Sequence, residues 1–186
     1  MSEILRFLVL LGGFAVLAVL ASAAQPRATK DTSGECAAVG PEWRQMRDGF
    51  GAAVMVTADP EWKRKWGAPG SRLPRVEQTD SLHIGEKVWA LLFLTNPTAD
   101  LEGNVDVTCN LRMIRPNGKV TVHRGLRALH CRTVPVPRTY LSEFVLTMVG
   151  EENDPVGEWV VEFTVRDKVR GVDVPVTGRY TLKRRQ

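Results

Sequence analysis

The stretch DPVGEWVVEFTVRD, residues 154–167, alternates between apolar and polar side chains. On one side of an extended backbone it would present Trp159, Val161, Phe163 and Val165. On the opposite side it would present Glu158, Glu162, Thr164 and Arg166. Because successive side chains of a strand point to opposite faces of a sheet, the stretch predicts a strand with one face in the core and one in water.

Strand patterns recur on both sides of this stretch. The run VDVPVTGRYTL (172–182) repeats the alternation, and KVWALLFLTN (87–96) is apolar on both faces, which predicts a central strand covered on both sides. The run NVDVTCNLRMI (104–114) alternates and is followed by RPNGK and KVTV, which predicts a β-hairpin that turns at Asn117 and Gly118.

Two further segments complete the set of predicted strands. They are AAVMVT (52–57) and TYLSEFVLTMV (139–149). In the second, the residues expected on one side are Tyr140, Ser142, Phe144, Leu146 and Met148. About seven short strands separated by turn signals predict an all-β fold, an antiparallel β-sandwich.

Two short segments near the start of the predicted domain have helical signals. In PEWRQMRDGF (41–50), Pro41 suits a first helical position, and the apolar residues follow at spacings of three and four. In ADPEWKRKWG (58–67), Asp59 is placed to cap a helical turn that puts Trp62 and Trp66 on one side.

The first 24 residues have the order of a secretory signal. A cation at Arg6 precedes an apolar run (7–20) and small residues that end at Ala24. We therefore predict a signal peptide over 1–24, a flexible tether over 25–40 and one domain over 41–186, in a periplasmic or secreted protein. Only an uncleaved signal would connect the chain to a membrane. Export also argues against nucleic acid as a partner, although the net charge is +4.

The segments IRPNGKV and DPVGEWVVEFTVRD resemble the turn-and-strand units of immunoglobulin-like sandwiches in bacterial secreted proteins. The resemblance covers about residues 84–182 and implies an immunoglobulin-like architecture. It lacks the antibody pattern, because no tryptophan lies between Cys109 and Cys131. Such modules adhere, scaffold, inhibit or bind sugars, so the resemblance implies no specific role.

The chain has three cysteines, so at most one internal disulfide can form. Cys109 and Cys131 flank the predicted hairpin, and we predict a bridge between them. The alternative is that all three thiols are reduced. Cys36 lies in the polar segment that precedes the domain.

No Asp or Glu occurs from Val107 to Ser142. The cations in this segment are Arg112, Arg115, Lys119, Arg124, Arg127, Arg132 and Arg138. If neighbouring strands carry them, they form a basic face suited to carboxylate or phosphate groups. The alternative is a solvated surface that protects an edge strand. The arginines that we select as binding candidates are Arg112, Arg124, Arg127 and Arg132.

Trp62 and Trp66 are the other binding candidates, because tryptophan beside arginine is typical of interaction sites. The alternative is that both tryptophans cover the exposed face of the central strand, at Trp89 and Phe93.

The sequence offers little for catalysis or metal binding. The three histidines, His83, His123 and His130, lack metal-ligand spacing, and no GxSxG motif is present. We therefore predict no catalytic residue, no metal and no cofactor. The predicted function is a non-catalytic protein-interaction module with an envelope protein as its partner. The alternative is a binding module for an anionic polymer or glycan that uses a surface of tryptophan and arginine.

Overall fold

The computed structural model describes residues 42–67, 76–132 and 139–185. These residues form ten strands and one helix. In chain order the elements are β1 (Arg44–Arg47), β2 (Phe50–Thr57), α1 (Trp62–Gly67), β3 (Ser81–His83), β4 (Lys87–Thr95), β5 (Asn104–Ile114), β6 (Val120–Arg132), β7 (Thr139–Leu141), β8 (Leu146–Val149), β9 (Gly157–Asp167) and β10 (Val172–Lys183). The all-β prediction is confirmed, with ten strands in place of about seven. The predicted signal peptide (1–24) and tether (25–40) lie outside the described residues.

The strands form two sheets. In the first sheet the order is β1-β2-β4, and both β7 and β8 pair with the far side of β4. In the second sheet the order is β3-β10-β9-β5-β6. All pairs are antiparallel except β3 with β10, which is parallel. The strand β4 therefore has neighbours on both sides, as its two apolar faces predict.

The main core lies between the two sheets. The inward side of β9 is the predicted apolar side, and the apolar positions of β5 from Val105 to Met113 are also buried. The ring of Phe144 lies 6.2 Å from that of Phe163 in β9. At Gly178 of β10 a side chain would meet Val56 of β2 at 3.2 Å, so the sheets approach closely there. The alternating stretch within residues 154–167 is thus a core strand, β9.

The helix α1 forms where the sequence predicts a helical turn. The Asp59 carboxylate accepts a hydrogen bond from the Glu61 N–H at 2.9 Å and lies 2.5 Å from Lys65 Nζ. These contacts satisfy a backbone donor at the start of the helix and neutralise the carboxylate. In the described part of the chain, no helix is long and apolar enough to cross a membrane.

The predicted helix over 41–50 is wrong. Residues 44–47 form β1, which turns back on β2 at Asp48 and Gly49, with φ of 48° and 81°. A two-residue turn with both φ angles positive matches the twist of a hairpin, and Asp-Gly is a preferred sequence for it. This turn chemistry outweighs the helical spacing of the apolar residues, of which Trp43 and Met46 are exposed.

The strand count differs from the prediction for three reasons. Neither β1 nor β3 was predicted, and the segment 139–149, predicted as one strand, is divided into β7 and β8. Between them Ser142 N–H still donates to Leu92 of β4, but Glu143 N–H donates to Ala128 of β6. The segment therefore leaves its sheet for a few residues. Its predicted alternation is nevertheless confirmed, because every second residue from Tyr140 to Met148 is buried.

Candidate functional site

The strand β6 forms one edge of the second sheet and is its longest strand, at 13 residues. At its start Arg115 N–H donates to the Lys119 carbonyl at 2.9 Å, so the Lys119 carbonyl points toward β5. Because backbone groups alternate in direction along a strand, those of Val120, Val122 and Arg124 point away from β5. No described strand pairs with this side of β6.

The middle of β6 is irregular. The pairing with β5 shifts register between Cys109 and Leu111 and again between Val107 and Thr108. Gly125 has a φ of 65°, and its N–H donates to the Asn110 side chain at 3.0 Å rather than to a backbone carbonyl. These shifts keep the strand attached to β5 while they change its local twist.

The far end of β6 is covered by the connection between β7 and β8. Glu143 N–H donates to the Ala128 carbonyl at 2.8 Å, and His130 N–H donates to the Glu143 carboxylate. The open part of the edge is therefore residues 120–127, which we call the free edge of β6.

The side chains along the free edge combine apolar and basic groups. Val120 and Val122 are 46% and 41% exposed, which is unusual for valine in a strand. Arg124 and Arg127 are exposed as well, and neither forms an ion pair with a carboxylate among the described residues. This edge thus presents accessible apolar side chains beside positive charge.

The predicted basic face forms only in part. Arg112 on β5 is neutralised by Glu162 of the neighbouring strand β9, at 2.5 Å. Arg132 donates from Nε to the Glu102 carbonyl at 3.1 Å. It lies at the covered end of β6, outside the free edge. Arg138 lies outside the described residues. The predicted binding arginines that lie on the free edge are Arg124 and Arg127.

The two tryptophans lie on the opposite side of the molecule. Trp62 is 6% exposed, and the ring of Trp66 packs 5.2 Å from that of Phe93 on β4. Phe93 alternates with the core residues Leu92 and Leu94, so this contact is on the outer face of the first sheet. The arginines belong to the second sheet. The structure therefore separates the tryptophans from the arginines. Trp66 packs over β4, as the alternative interpretation expected of both tryptophans.

The predicted Cys109–Cys131 disulfide is absent, and both thiols are free. In the register of the hairpin Cys131 pairs with Val105, four positions from Cys109 along β5. At roughly 3.4 Å per residue the two cysteines are about 14 Å apart along the strand. A disulfide needs Cα atoms within about 7 Å, so this register excludes the bridge.

No family model matches this chain. No curated protein matches it either. Similar solved structures include a family 123 glycoside hydrolase from Clostridium perfringens, with 9% identity over 74% of this chain and 28% of that one and a TM-score of 0.42. An alkylpurine DNA glycosylase from Pseudomonas fluorescens bound to DNA has 10% identity over 73% and 30% and a TM-score of 0.41. This chain thus spans less than a third of either.

A third similar structure is the CARDB domain of a Pyrococcus furiosus protein in complex with di-metal ions. It has 8% identity over 77% of this chain and 97% of that domain, with a TM-score of 0.33. At this level of similarity none of the three supports an assignment of activity.

The histidines do not converge in the structure. His83 lies beside Glu86 at 3.3 Å, His123 pairs with Leu111 on β5, and His130 pairs with Asp106. Within the described ranges, no three side chains of His, Cys, Asp or Glu are grouped so that they could hold a metal ion.

One buried carboxylate was not singled out in the sequence. Asp167, at the end of β9, accepts hydrogen bonds from the N–H groups of Thr98 (2.8 Å) and Arg170 (3.0 Å). The Arg170 guanidinium donates to Thr98 Oγ1 at 2.6 Å and to the Asp48 carbonyl. This Asp167–Arg170 cluster joins three loops at one end of the molecule and is structural. The sequence does contain a signal for this buried carboxylate. Asp167 lies two residues after Val165 and is therefore on the apolar, buried side of the strand.

Burial raises the pKa of the Cys109 thiol from 9.0 to about 12. The unfolded chain ionises this thiol first, so folded and unfolded states bind different numbers of protons between about pH 9 and pH 12. Between these pH values we expect ionisation of Cys109 to lower the free energy of unfolding by about 1.4 kcal/mol per pH unit. Other groups that titrate in this range contribute separately. Burial also raises the pKa of Tyr180, which acts in the same direction. Urea unfolding across this range should show a shallower fall for Cys109→Ala than for the parent. Equal slopes would contradict the assignment.

Proposed function

We propose that this protein is a non-catalytic, exported protein-interaction module with an immunoglobulin-like sandwich fold, and that the free edge of β6 is its contact surface. The observation that carries the proposal is the combination found on that edge. The uncovered part of the longest described strand presents two exposed valines and two arginines that have no ion-pair partner among the described residues.

The strand order supports the immunoglobulin-like part of the proposal. In such folds strands A, B and E share one sheet and strands C, F and G the other, with an added C′ strand beside C in some members. The strands β2, β4 and β8 take the places of A, B and E, and β5, β9 and β10 take those of C, F and G. In this correspondence β6 is the C′ strand at the edge.

Export is supported by the N-terminal sequence. A cation, an apolar run and small residues at 21–24 have the order of a secretory signal. A polar segment of about sixteen residues would then separate the exit site from the domain and leave the domain free to reach a partner.

A protein partner explains the free edge better than a glycan does. Sugar binding at this edge would need an exposed aromatic ring to stack on, whereas residues 120–127 contain no Trp, Tyr or Phe. Of the two predicted binding tryptophans, Trp62 is buried and Trp66 is packed on Phe93. Exposed valines beside arginines are more typical of contact with a polypeptide, which offers both apolar and charged groups.

Site-specific crosslinking in cells tests the proposal. A photo-crosslinking residue at Val122 should capture one defined envelope protein from the exported chain. The matched control is the same residue at Val169, which is also exposed but lies in the turn between β9 and β10. If position 122 captures nothing, or only the abundant proteins that position 169 captures, the proposal fails. Retention on cell-wall or lipid material would then test the anionic-polymer alternative.

Charge reversal gives a second test of the same surface. The double variant Arg124→Glu, Arg127→Glu should reduce capture at position 122 by about tenfold or more, since like charges across an interface are strongly unfavourable. Reversal at Arg166, which is paired with Asp173 on the outer face of the same sheet, should leave capture close to that of the parent. An equal loss in both variants would point to nonspecific electrostatic attraction.

A further inference from the structure

The free edge of β6 differs from the other edges of the two sheets in length. The other edge strands have three or four residues: β1, β3, β7 and β8. Short edge strands limit pairing with other chains, as do prolines and covering loops. β6 has 13 residues with no proline, and the covering loop reaches only its far end. β10 also has an edge that β3 does not cover, over residues 172–180, but Pro175 has no N–H there and the Thr177 N–H donates to the Glu42 carbonyl. The first part of β6 is therefore the longest uninterrupted stretch of strand edge in the described residues that remains available for backbone pairing.

The backbone of this edge is arranged as a template for another strand. The N–H and C=O groups of Val120, Val122 and Arg124 point away from β5, at the regular spacing of alternate residues. An extended chain placed beside them would form a ladder of hydrogen bonds, and affinity in this mode of recognition comes from the backbone. Gly125, whose N–H is held by Asn110, ends the regular part of the template.

The side chains determine what kind of segment fits. Side chains directly across a strand pair approach closely enough to interact, so an added strand would place residues beside the exposed valines and beside Arg124 and Arg127. Apolar residues complement the valines, and carboxylates complement the arginines. No Asp or Glu of the chain itself occurs from Val107 to Ser142 to satisfy these cations locally.

The same charges disfavour a second copy of this chain as the occupant. Two β6 edges paired with each other would bring Arg124 and Arg127 of one copy near those of the other. Like charges across a strand pair are destabilising. The edge is thus protected from self-association by its arginines while it remains open to an acidic strand.

We infer that the free edge of β6 binds an extended acidic segment of the partner protein by strand addition. This inference rests on the proposed function and specifies its chemistry. The partner segment has carboxylates opposite Arg124 and Arg127, has apolar residues opposite the valines, and becomes a sixth strand of the second sheet.

The probe for this inference is a synthetic peptide as long as the free edge, called the alternating acidic peptide. Its alternate positions are two glutamates followed by two valines, with threonine between them, so that in antiparallel pairing one face of the peptide matches Arg127, Arg124, Val122 and Val120. Three further probes are the same peptide with N-methyl groups on alternate residues, the matched lysine–valine peptide and a scrambled acidic peptide that lacks the alternation. Binding is measured by fluorescence anisotropy with the mature full chain. We expect the alternating acidic peptide to bind and the other three to bind at least about tenfold more weakly. The N-methylated peptide lacks backbone donors, the lysine–valine peptide has the wrong charge, and the scrambled peptide lacks the register.

The matched protein variants are Val122→Pro and Val122→Thr. Proline removes an N–H that points away from β5, so the β5 pairing is kept, and edge positions tolerate it. Threonine retains the N–H and the branched shape. We expect Val122→Pro to lose peptide binding by about tenfold or more and Val122→Thr to retain it. The circular dichroism spectrum and urea midpoint show whether each variant is folded. If Val122→Pro does not fold, the N-methylated peptide makes the same test with the parent protein.

Two results would overturn the inference. One is the absence of binding by the alternating acidic peptide, and the other is equal binding of the acidic, N-methylated and scrambled peptides, which would indicate electrostatic attraction without a ladder. The proposed function fails separately. If a photo-crosslinking residue at Val120 captures the same partner equally well with and without Val122→Pro, the interaction module is kept and strand addition is removed. Peptide binding without any captured partner supports the ladder and removes the module.

Discussion

Replacement of Asp167 by alanine is expected to lower the free energy of unfolding by about 3–5 kcal/mol. The Asp167 carboxylate is completely buried and accepts hydrogen bonds from two backbone N–H groups, those of Thr98 and Arg170. Alanine would leave both donors without an acceptor in the interior and would leave the Arg170 guanidinium without the carboxylate 3.9 Å from its Nε. Urea denaturation followed by circular dichroism measures the change, provided that the m-value stays constant.

The matched control is Asp173→Ala. Asp173 pairs with Arg166 at 2.9 Å, but both side chains are about half exposed. An exposed pair of this kind contributes about 0–1 kcal/mol because water already solvates the charges. If the two alanine variants lost equal stability, the Asp167–Arg170 cluster would have no special structural role.

Replacement of Trp159 by alanine should have an effect of similar size, about 3–5 kcal/mol. Trp159 is 1% exposed, its ring stacks 6.1 Å from that of Tyr180, and its Nε1 donates to the Pro155 carbonyl at 3.0 Å. The Arg115 guanidinium also lies 5.8 Å from the ring centre. Alanine would leave a cavity between these groups and an unsatisfied carbonyl. Circular dichroism is again the suitable probe, since the change removes a fluorophore.

Two control variants separate burial from residue type. Trp43→Ala changes an exposed tryptophan just before β1 and should alter stability by no more than about 0.5 kcal/mol. Trp159→Phe retains most of the ring volume and loses the indole hydrogen bond, so its effect should lie between those of the two alanine variants. A loss of stability for Trp43→Ala as large as for Trp159→Ala would contradict the account.

The sequence predicted best those parts of the fold in which local pattern and tertiary environment agree. The alternation in β5 and β9 follows directly from a strand with one buried face. The turn at Gly118, with a φ of 77°, follows from the need for a residue that tolerates positive φ. The core side of these strands was therefore evident from single residues and their spacing.

The errors arose where one pattern allowed two outcomes. Spacings of three and four suggested a helix at 41–50, whereas the Asp48–Gly49 turn selected a hairpin. Cysteine spacing alone did not specify register. The turn sets Ile114 opposite Val120, a register that already separates the two cysteines, and the two irregularities in the β5–β6 pairing shift it by only two positions. The candidate site depends on which strand ends a sheet, and that is a property of the complete topology. Arg124 and Arg127 could be selected by charge, but the free edge on which they lie could not.

The parallel pairing of β3 with β10 has a consequence for the order of folding. Ser81 pairs with Thr181, one hundred positions later in the chain. Contacts of such long sequence separation form slowly, because the loop between them must close first. During synthesis the second sheet cannot be completed until its last strand has emerged, and until then β9 lacks one of its two neighbours. The second sheet of a nascent chain therefore remains incomplete until the ribosome has released β10.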